Sequence, residues 1–273
     1  MTTASPGGAP VRPRRPPPGL FAVGATLAAI ALTVATAANW RYGTGFAPGD
    51  IVRKLTNFNP VLSALPHAEL DQLLSPRSRA AFVETLRQTI IGGVSGSLVA
   101  LPIALWSTSY GAPNRTVQVV VRFLSNIIRA FPDLLWALLF VAAVGIGNLP
   151  GVLALFFFSI AVVTKLTADT LDGIDMGPIE AAHASGARHS QMLRTAVVPQ
   201  ILPAYTSYAL YAFELNLRAS TVLGLVGAGG IGQRLQFFQS QNDWEKVWGL
   251  VVMFVLVVFV VDRASTLLRR RLV

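Results

Sequence analysis

The sequence predicts an all-α integral membrane protein with six transmembrane helices, and three observations carry that prediction. Hydrophobic residues make up 53% of the 273 positions. Charged residues make up only 13%, about half of the roughly 25% usual in a globular domain. The apolar residues also arrive in blocks that meet or approach the ~20 residues a bilayer-spanning helix needs, not in amphipathic stripes.

Residues 1–19 (MTTASPGGAPVRPRRPPPG) are rich in Pro and Gly and carry Arg12, Arg14 and Arg15. They cannot bury enough apolar surface to fold, which predicts a disordered, basic cytoplasmic leader. Residues 20–273 form one transmembrane domain. Its first block, Phe21 to Ala38, is uncharged and ends in small residues. It exceeds the apolar core of a cleavable signal, about 7 to 15 residues, and so predicts an uncleaved span.

Five further blocks centre on Ile90 to Trp106, Leu134 to Ile146, Val152 to Leu166, Val197 to Leu217 and Val247 to Val261. Six spans put both termini on one side. The leader, Arg115, Arg122, the stretch Arg188 to Arg194 and Arg263, Arg269, Arg270 and Arg271 then face the cytoplasm, as the positive-inside bias requires. Arg41, Arg53, Lys54, Arg77, Arg79 and Arg234 fall outside the pattern. Between the first two blocks, a polar stretch with turn formers (Pro48, Gly49, Pro60, Pro66, Pro76) and a short amphipathic pattern around Glu69 to Leu74 predicts a segment along the outer interface.

Several function classes are excluded at this stage. The net charge of +9 is explained by the ends of apolar blocks and by the leader, so no nucleic-acid partner is implied. The absence of cysteine removes disulfides, thiolate nucleophiles and Cys-based zinc sites. His67, His183 and His189 show no metal-ligand spacing with carboxylates, and no metal site is assigned. No G-x-x-x-x-G-K-[ST] pattern is present to cradle ATP phosphates. The chain is therefore not an enzyme by itself and binds no cofactor.

The stretch between the fourth and fifth blocks, MGPIEAAHASGARHSQMLRTAVVPQILPAY, is helix-permissive. It starts after Gly177-Pro178, breaks at Gly186 and restarts before Pro199. It is longer than the 2 to 8 residues or so that usually join two helices. Ala181, Ala182 and Ala184 permit close approach of a partner, Gly186 permits the positive φ of a sharp corner, and Glu180 suits the positive end of a helix dipole.

Glu180-Ala181-Ala182, then Gly186, then Pro199 follow the spacing of the EAA loop in the permease subunits of binding-protein-dependent ABC importers. The stretches RAFPDLLWALLFVAAVGIG and AVVPQILPAYTSYALYAFELNLRASTVLGLVGAGGIG are similar to the phosphonate transporter permeases in particular. The resemblance runs from about Arg129 to Gly232. It implies the type I ABC importer permease fold with a cytoplasmic coupling-helix loop at about 177–195, whose contact residues are Glu180, Ala181, Ala182, Ala184, Gly186, Ala187, Arg188 and Pro199. It further implies a homodimer in the bacterial plasma (inner) membrane, a cytoplasmic ATP-binding subunit dimer that holds ATP and Mg, and an extracytoplasmic substrate-binding protein. The implied cargo is phosphonate or a related phosphorus oxyanion such as phosphite or phosphate.

Two sets of residues point to a translocation pathway. Gly227, Gly229 and Gly232 satisfy G-x-G-x-x-G, but a long apolar helix precedes them where a dinucleotide site needs a strand. With Gly230 they form either a flexible outer connector or a re-entrant element at the mouth of the pathway, and the apolar Leu225, Val226 and Ile231 favour the second. Opposite charges recur at i, i+4 in Arg129 with Asp133, Lys165 with Asp169, and Glu214 with Arg218, which puts each pair on one helix face. Tyr211 shares the face of Glu214 and Arg218. Such charges line an anion pathway or form structural ion pairs. Competing readings are an importer of methionine or a quaternary amine, an ion-driven transporter or channel, and a membrane oxidoreductase.

Overall fold

The computed structural model describes residues 20–38, 59–73 and 75–270. All regular structure among them is helical. The leader and the stretch that holds Arg41, Pro48, Gly49, Arg53 and Lys54 lie outside the described residues, as does Arg271.

The chain divides into two compact units, residues 1–62 and 63–273. In the first, α1 (Leu20–Ala38) coincides with the first apolar block. The short α2 (Asn59–Ser63) spans the division. The second unit opens with two short 3-10 turns, Leu65–His67 and Leu70–Leu73. The Glu69 region, expected along the outer interface, is held against the start of the last helix, where Glu69 N–H donates to the Glu245 carbonyl at 3.1 Å.

α3 (Pro76–Trp106) is the longest helix. Ser75 caps it by accepting from Ser78 N at 3.2 Å, and Pro76 follows at the first turn, where its missing N–H costs nothing. α4 (Arg115–Ala130) is followed after Phe131-Pro132 by α5 (Asp133–Val144), and the two are bent by 88°. The residue before a proline is driven out of the helical region, and Phe131 sits at φ −84°, ψ 123°. α6 (Asn148–Leu171) follows Gly147. α7 (Gly177–Ala184) and α8 (His189–Met192) form a corner that passes through a π turn at Leu193–Val197 into α9 (Val198–Gly224). α10 (Gly230–Ser240) and α11 (Trp244–Arg269) complete the chain.

The core of the unit is α3 laid along α6, with α9 against both. Glycine makes this approach possible. A Cβ on Gly92 would lie 2.8 Å from the Val152 carbonyl oxygen, and one on Gly96 would lie 2.5 Å from that of Phe156. Gly92 and Gly96 form a G-x-x-x-G pair, the small-residue spacing that lets helix backbones meet within lipid. Polar side chains add directed bonds across the seam. Tyr205 Oη donates to the Ser97 carbonyl at 2.9 Å, and Asn216 Nδ2 donates to Ser159 Oγ at 2.7 Å.

Helices occupy all six predicted blocks, but the count of spans differs. Among the described residues three helices are long and apolar enough to cross a membrane, α3, α6 and α11, or four if the bent pair α4 and α5 is one span. The block Leu134 to Ile146 yields only the 12-residue α5, because Pro132 breaks the chain before it. α9 has 27 residues, but Glu214 and Arg218 interrupt its apolar run. Replacing Gly96 by Leu is expected to lower the unfolding midpoint in detergent, at a cost of about 2 to 4 kcal/mol. Gly24→Ala, where nothing lies within 4 Å of the added carbon, should leave the midpoint unchanged or slightly raised; differential scanning of the two variants checks both.

Candidate functional site

The corner between α7 and α8 is built from inside outward. Ile179, Met192, Ala196, Val197 and Ile201 are buried with Ala104 and Leu171, so the short helices are anchored to the ends of α3 and α6. Ala182 packs partly against this cluster. Glu180, Ala181, His183, Ala184, Gly186 and Arg188 remain exposed, which leaves open a face where Ala181, Ala184 and Gly186 alternate with charged and polar side chains. α7 ends in a Schellman motif: Ala187 N–H donates to Ala182 O and Gly186 N–H to His183 O, each at 3.0 Å. Gly186 has φ 75°. Open space surrounds its missing side chain, so conformation, not crowding, is what demands glycine there.

Further bonds fix the corner in place. Asp175 Oδ1 accepts from Gly177 N at 3.0 Å, and Gln200 Nε2 donates to the Asp175 carbonyl at 3.1 Å. His189 Nε2 lies 3.2 Å from the Gly111 carbonyl, which ties α8 to the loop between α3 and α4. In that loop the Tyr110 hydroxyl donates to the Leu171 carbonyl. Burial, with Asp172 nearby, pushes the Tyr110 phenol up to about 12, so it keeps the proton this bond uses.

A second site is a cleft of about 490 Å³ where α4, α5, α6 and α9 meet. It gathers Arg129, Asp133, Lys165 and Tyr211, four of the predicted pathway residues, with Trp136 among its walls. Lys165 pairs with Asp169 as its spacing predicts. Arg129 and Asp133 do not share a helix face, because the Phe131-Pro132 break puts them on different helices. Arg129 Nη1 donates instead to Asn126 Oδ1 at 3.4 Å, and Asp133 Oδ1 accepts from Leu134 N at 2.9 Å.

Glu214 and Arg218 are not each other's partners either. Both reach across to α11, Glu214 to Arg269 and Arg218 to Asp262 at 2.9 Å. The reason is antiparallel packing of α9 and α11, which brings a full-strength partner to each charge. Neither residue lines the cleft that holds Tyr211.

The glycine-rich run is a packed corner, not a flexible connector. Gly227, Gly229, Gly230 and Gly232 are all buried, and the first three have positive φ. Side chains of α3 satisfy its backbone: Glu84 Oε1 accepts from Gly230 N at 2.9 Å, Thr85 Oγ1 from Ile231 N at 2.8 Å, and Gln88 Nε2 donates to the Ala228 carbonyl at 3.0 Å. Non-helical backbone that is buried in protein is the tolerated kind at membrane depth.

Residues 88–273 match the family model of the binding-protein-dependent transport system inner membrane component. The chain belongs to this family. It is 39% identical over 188 residues to a phosphite transport system permease protein of Stutzerimonas stutzeri, covering 69% of this chain and 68% of that one. It is 35% identical over 225 residues to a phosphate-import permease protein of Mycolicibacterium smegmatis, covering 82% of this chain and 42% of that one. The inward-facing MetNI methionine ABC transporter has a chain of the same fold, with a TM-score of 0.61 at 24% identity over 73% of this chain and 99% of that chain.

As a permease of this family, the chain is a multi-pass component of the inner membrane, built to work with an ATPase and a binding protein. The permease contains polar residues that local patterns do not reveal. Glu84, Thr85 and Gln88 clamp the glycine corner from 140 or more positions away, and Asp262 and Arg269 answer charges 44 and 55 positions distant. The Gly92 to Gly96 spacing was a readable signal for the helix seam. Breaking the two cross-helix pairs should have unequal effects. Glu214 is 6% exposed, so Glu214→Ala leaves Arg269 partly buried and unanswered and should cost roughly 3 kcal/mol. Arg218 and Asp262 are each about half exposed, so Arg218→Gln should cost at most about 1 kcal/mol; chemical unfolding of both variants in detergent measures the difference.

Proposed function

We propose that this permease is the translocation subunit of an ATP-driven importer for phosphonate or a related phosphorus oxyanion such as phosphite or phosphate. The observation that carries the reading is the identity shared with phosphite and phosphate-import permeases over more than two thirds of the chain. Two copies enclose a central path, and both termini lie in the cytoplasm. A dimer of ATP-binding subunits, which holds the ATP and Mg, docks on the exposed face of the corner around Glu180, Ala181, Ala184 and Arg188. An external binding protein delivers the cargo.

Two features of the geometry agree with the docking and conduction parts of this arrangement. The corner's buried residues pack against the ends of α3 and α6, a contact through which a displacement could pass, while its small exposed residues leave a partner room to approach. The cleft where α4, α5, α6 and α9 meet gathers Arg129 and Lys165, cations of the kind that passage of an anion needs. Glu214 and Arg218, held by α11, support the frame, and the buried Gly227, Gly229, Gly230 and Gly232 shape the corner beside a cleft of about 770 Å³ lined by Glu84, Gln88 and Asn148.

Two measurements test the reading. A tagged native chain is expected to co-purify with an ATP-binding subunit, and a Glu180→Lys, Gly186→Pro double variant to lose it. Cells that depend on the native chain should take up radiolabelled phosphite or phosphate, with competition by unlabelled phosphonate and none by choline or methionine. Transport by the purified chain alone, driven by an ion gradient, would make it a secondary transporter instead.

A further inference from the structure

α4 has a feature that the cleft at Arg129 only partly exposes. Arg115, Arg122 and Arg129 recur at intervals of seven residues on this one helix. Seven residues are close to two turns, so the three guanidiniums share a face and follow each other at about 10 Å over a total of about 20 Å. Three neighbouring clefts receive them in order. Arg115 and Arg122 line one of about 580 Å³ beside the loop at Asn114. Arg122 and Arg129 line the next, of about 230 Å³, with Lys165. Arg129 and Lys165 line the last, of about 490 Å³, at the Pro132 break.

The arginines of this stripe make no ion pair among the described residues. Among the described residues the ion pairs join Lys165 to Asp169, Arg218 to Asp262, Lys246 to Asp243 and Arg269 to Glu214. None involves Arg115, Arg122 or Arg129. Arg122 Nε donates to the Ser107 carbonyl at 2.5 Å, which aims the guanidinium without neutralising it, and Arg129 has only the neutral Asn126 amide. Acidic groups do face the same space: Asp169 is engaged by Lys165, Asp172 lines the middle cleft, and Asp133 lines the last. They stand on α5, α6 and the end of α6, opposite the arginine stripe.

We infer that Arg115, Arg122 and Arg129 form a stepped anion path along α4, on which a phosphorus oxyanion passes from one guanidinium to the next. This deepens the oxyanion reading proposed above and rests on it. Each guanidinium offers a planar fork of donors that fits two oxygens of a tetrahedral oxyanion. Repetition matters as much as affinity, because a conducting route needs several weak sites in series, each easy to leave. The shared clefts supply that series, since consecutive rungs open onto common space. The same chemistry would also hold a lipid phosphate, and α4 carries the exposed apolar side chains Val119, Phe123 and Leu124. Phe123 and Leu124 lie off the arginine stripe, while Val119 lines the first cleft together with Arg115 and Arg122, so vesicles with and without an anionic lipid are needed to separate the two sources.

The test uses the permease with its ATP-binding subunits and binding protein, reconstituted in vesicles of phosphatidylcholine alone and of phosphatidylcholine with phosphatidylglycerol. Uptake of radiolabelled phosphite and phosphate is measured for wild type, Arg122→Gln, Arg122→Lys, Arg129→Gln and the exposed control Arg263→Gln. Each is scored after co-purification with the ATP-binding subunit has verified assembly. A path predicts a roughly 10-fold loss of uptake for each Gln variant, substantial recovery in Arg122→Lys, no change in Arg263→Gln, and the same pattern in both vesicles. Oxyanion uptake by wild type that is unchanged in the Gln variants overturns the path alone. Loss confined to vesicles with phosphatidylglycerol assigns the arginines to lipid headgroups and also overturns it. Wild-type vesicles that take up choline or methionine and no oxyanion overturn the oxyanion reading, and the path with it. Should Arg122→Gln fail to assemble, Arg129→Gln and Arg122→Lys decide the matter on the same criteria.

Discussion

Because Gly92 and Gly96 carry no side chain, the backbone of α3 meets that of α6 at distances no other residue would allow, and the rest of the second unit is arranged around that seam. α9 closes over it through Tyr205 and Asn216. The first half of α3 then stands where Glu84, Thr85 and Gln88 can reach the glycine corner, and its last turn stands where Ala104 can anchor the corner between α7 and α8. In lipid there is little hydrophobic force between helices, so close contact and directed polar bonds carry the association. One seam thus sets the position of both corners of the second unit.

The features that could be read from the sequence are those encoded locally. Apolar blocks located the helices, and the Gly186 corner was legible because a positive φ has few other solutions. The pairing of Lys165 with Asp169 was legible for the same reason, as both lie on one uninterrupted helix. The other two charge pairs failed for physical causes that differ. Phe131-Pro132 interrupts the helix between Arg129 and Asp133, a break that proline announces. For Glu214 and Arg218 no local sign existed, because their partners come from a helix that is remote in sequence and adjacent only after packing. Length and composition mark fewer than six spans among the described residues, because one apolar block is short, at α5, and the long helix α9 is interrupted by charge.

The ion pairs divide the charged residues of the helices into two populations. One is answered: Lys165, Arg218 and Arg269 each meet a carboxylate, and their energetic effect is to hold neighbouring helices or turns in register. The others make no ion pair among the described residues, and they include the arginines of α4, where Arg122 donates to the Ser107 carbonyl and Arg129 to the Asn126 amide. Unanswered cations beside apolar helices are costly, and they persist where something other than stability requires them. The division was invisible to spacing rules, which counted every i, i+4 coincidence alike.

The clamp on the glycine corner limits how the molecule can deform. To part α3 from the start of α10, the N–H groups of Gly230 and Ile231 would have to leave Glu84 and Thr85, and a buried N–H left without a partner costs a few kcal/mol. α3, α6 and α10 therefore behave as a single stiff block under any modest load. The proline elbow between α4 and α5 is bridged more weakly, by Trp136 Nε1 donating to the Ile128 carbonyl at 3.4 Å and by the Phe131–Trp136 ring contact, so a load applied at the corner between α7 and α8 would turn α4 about that elbow before it parted the clamp.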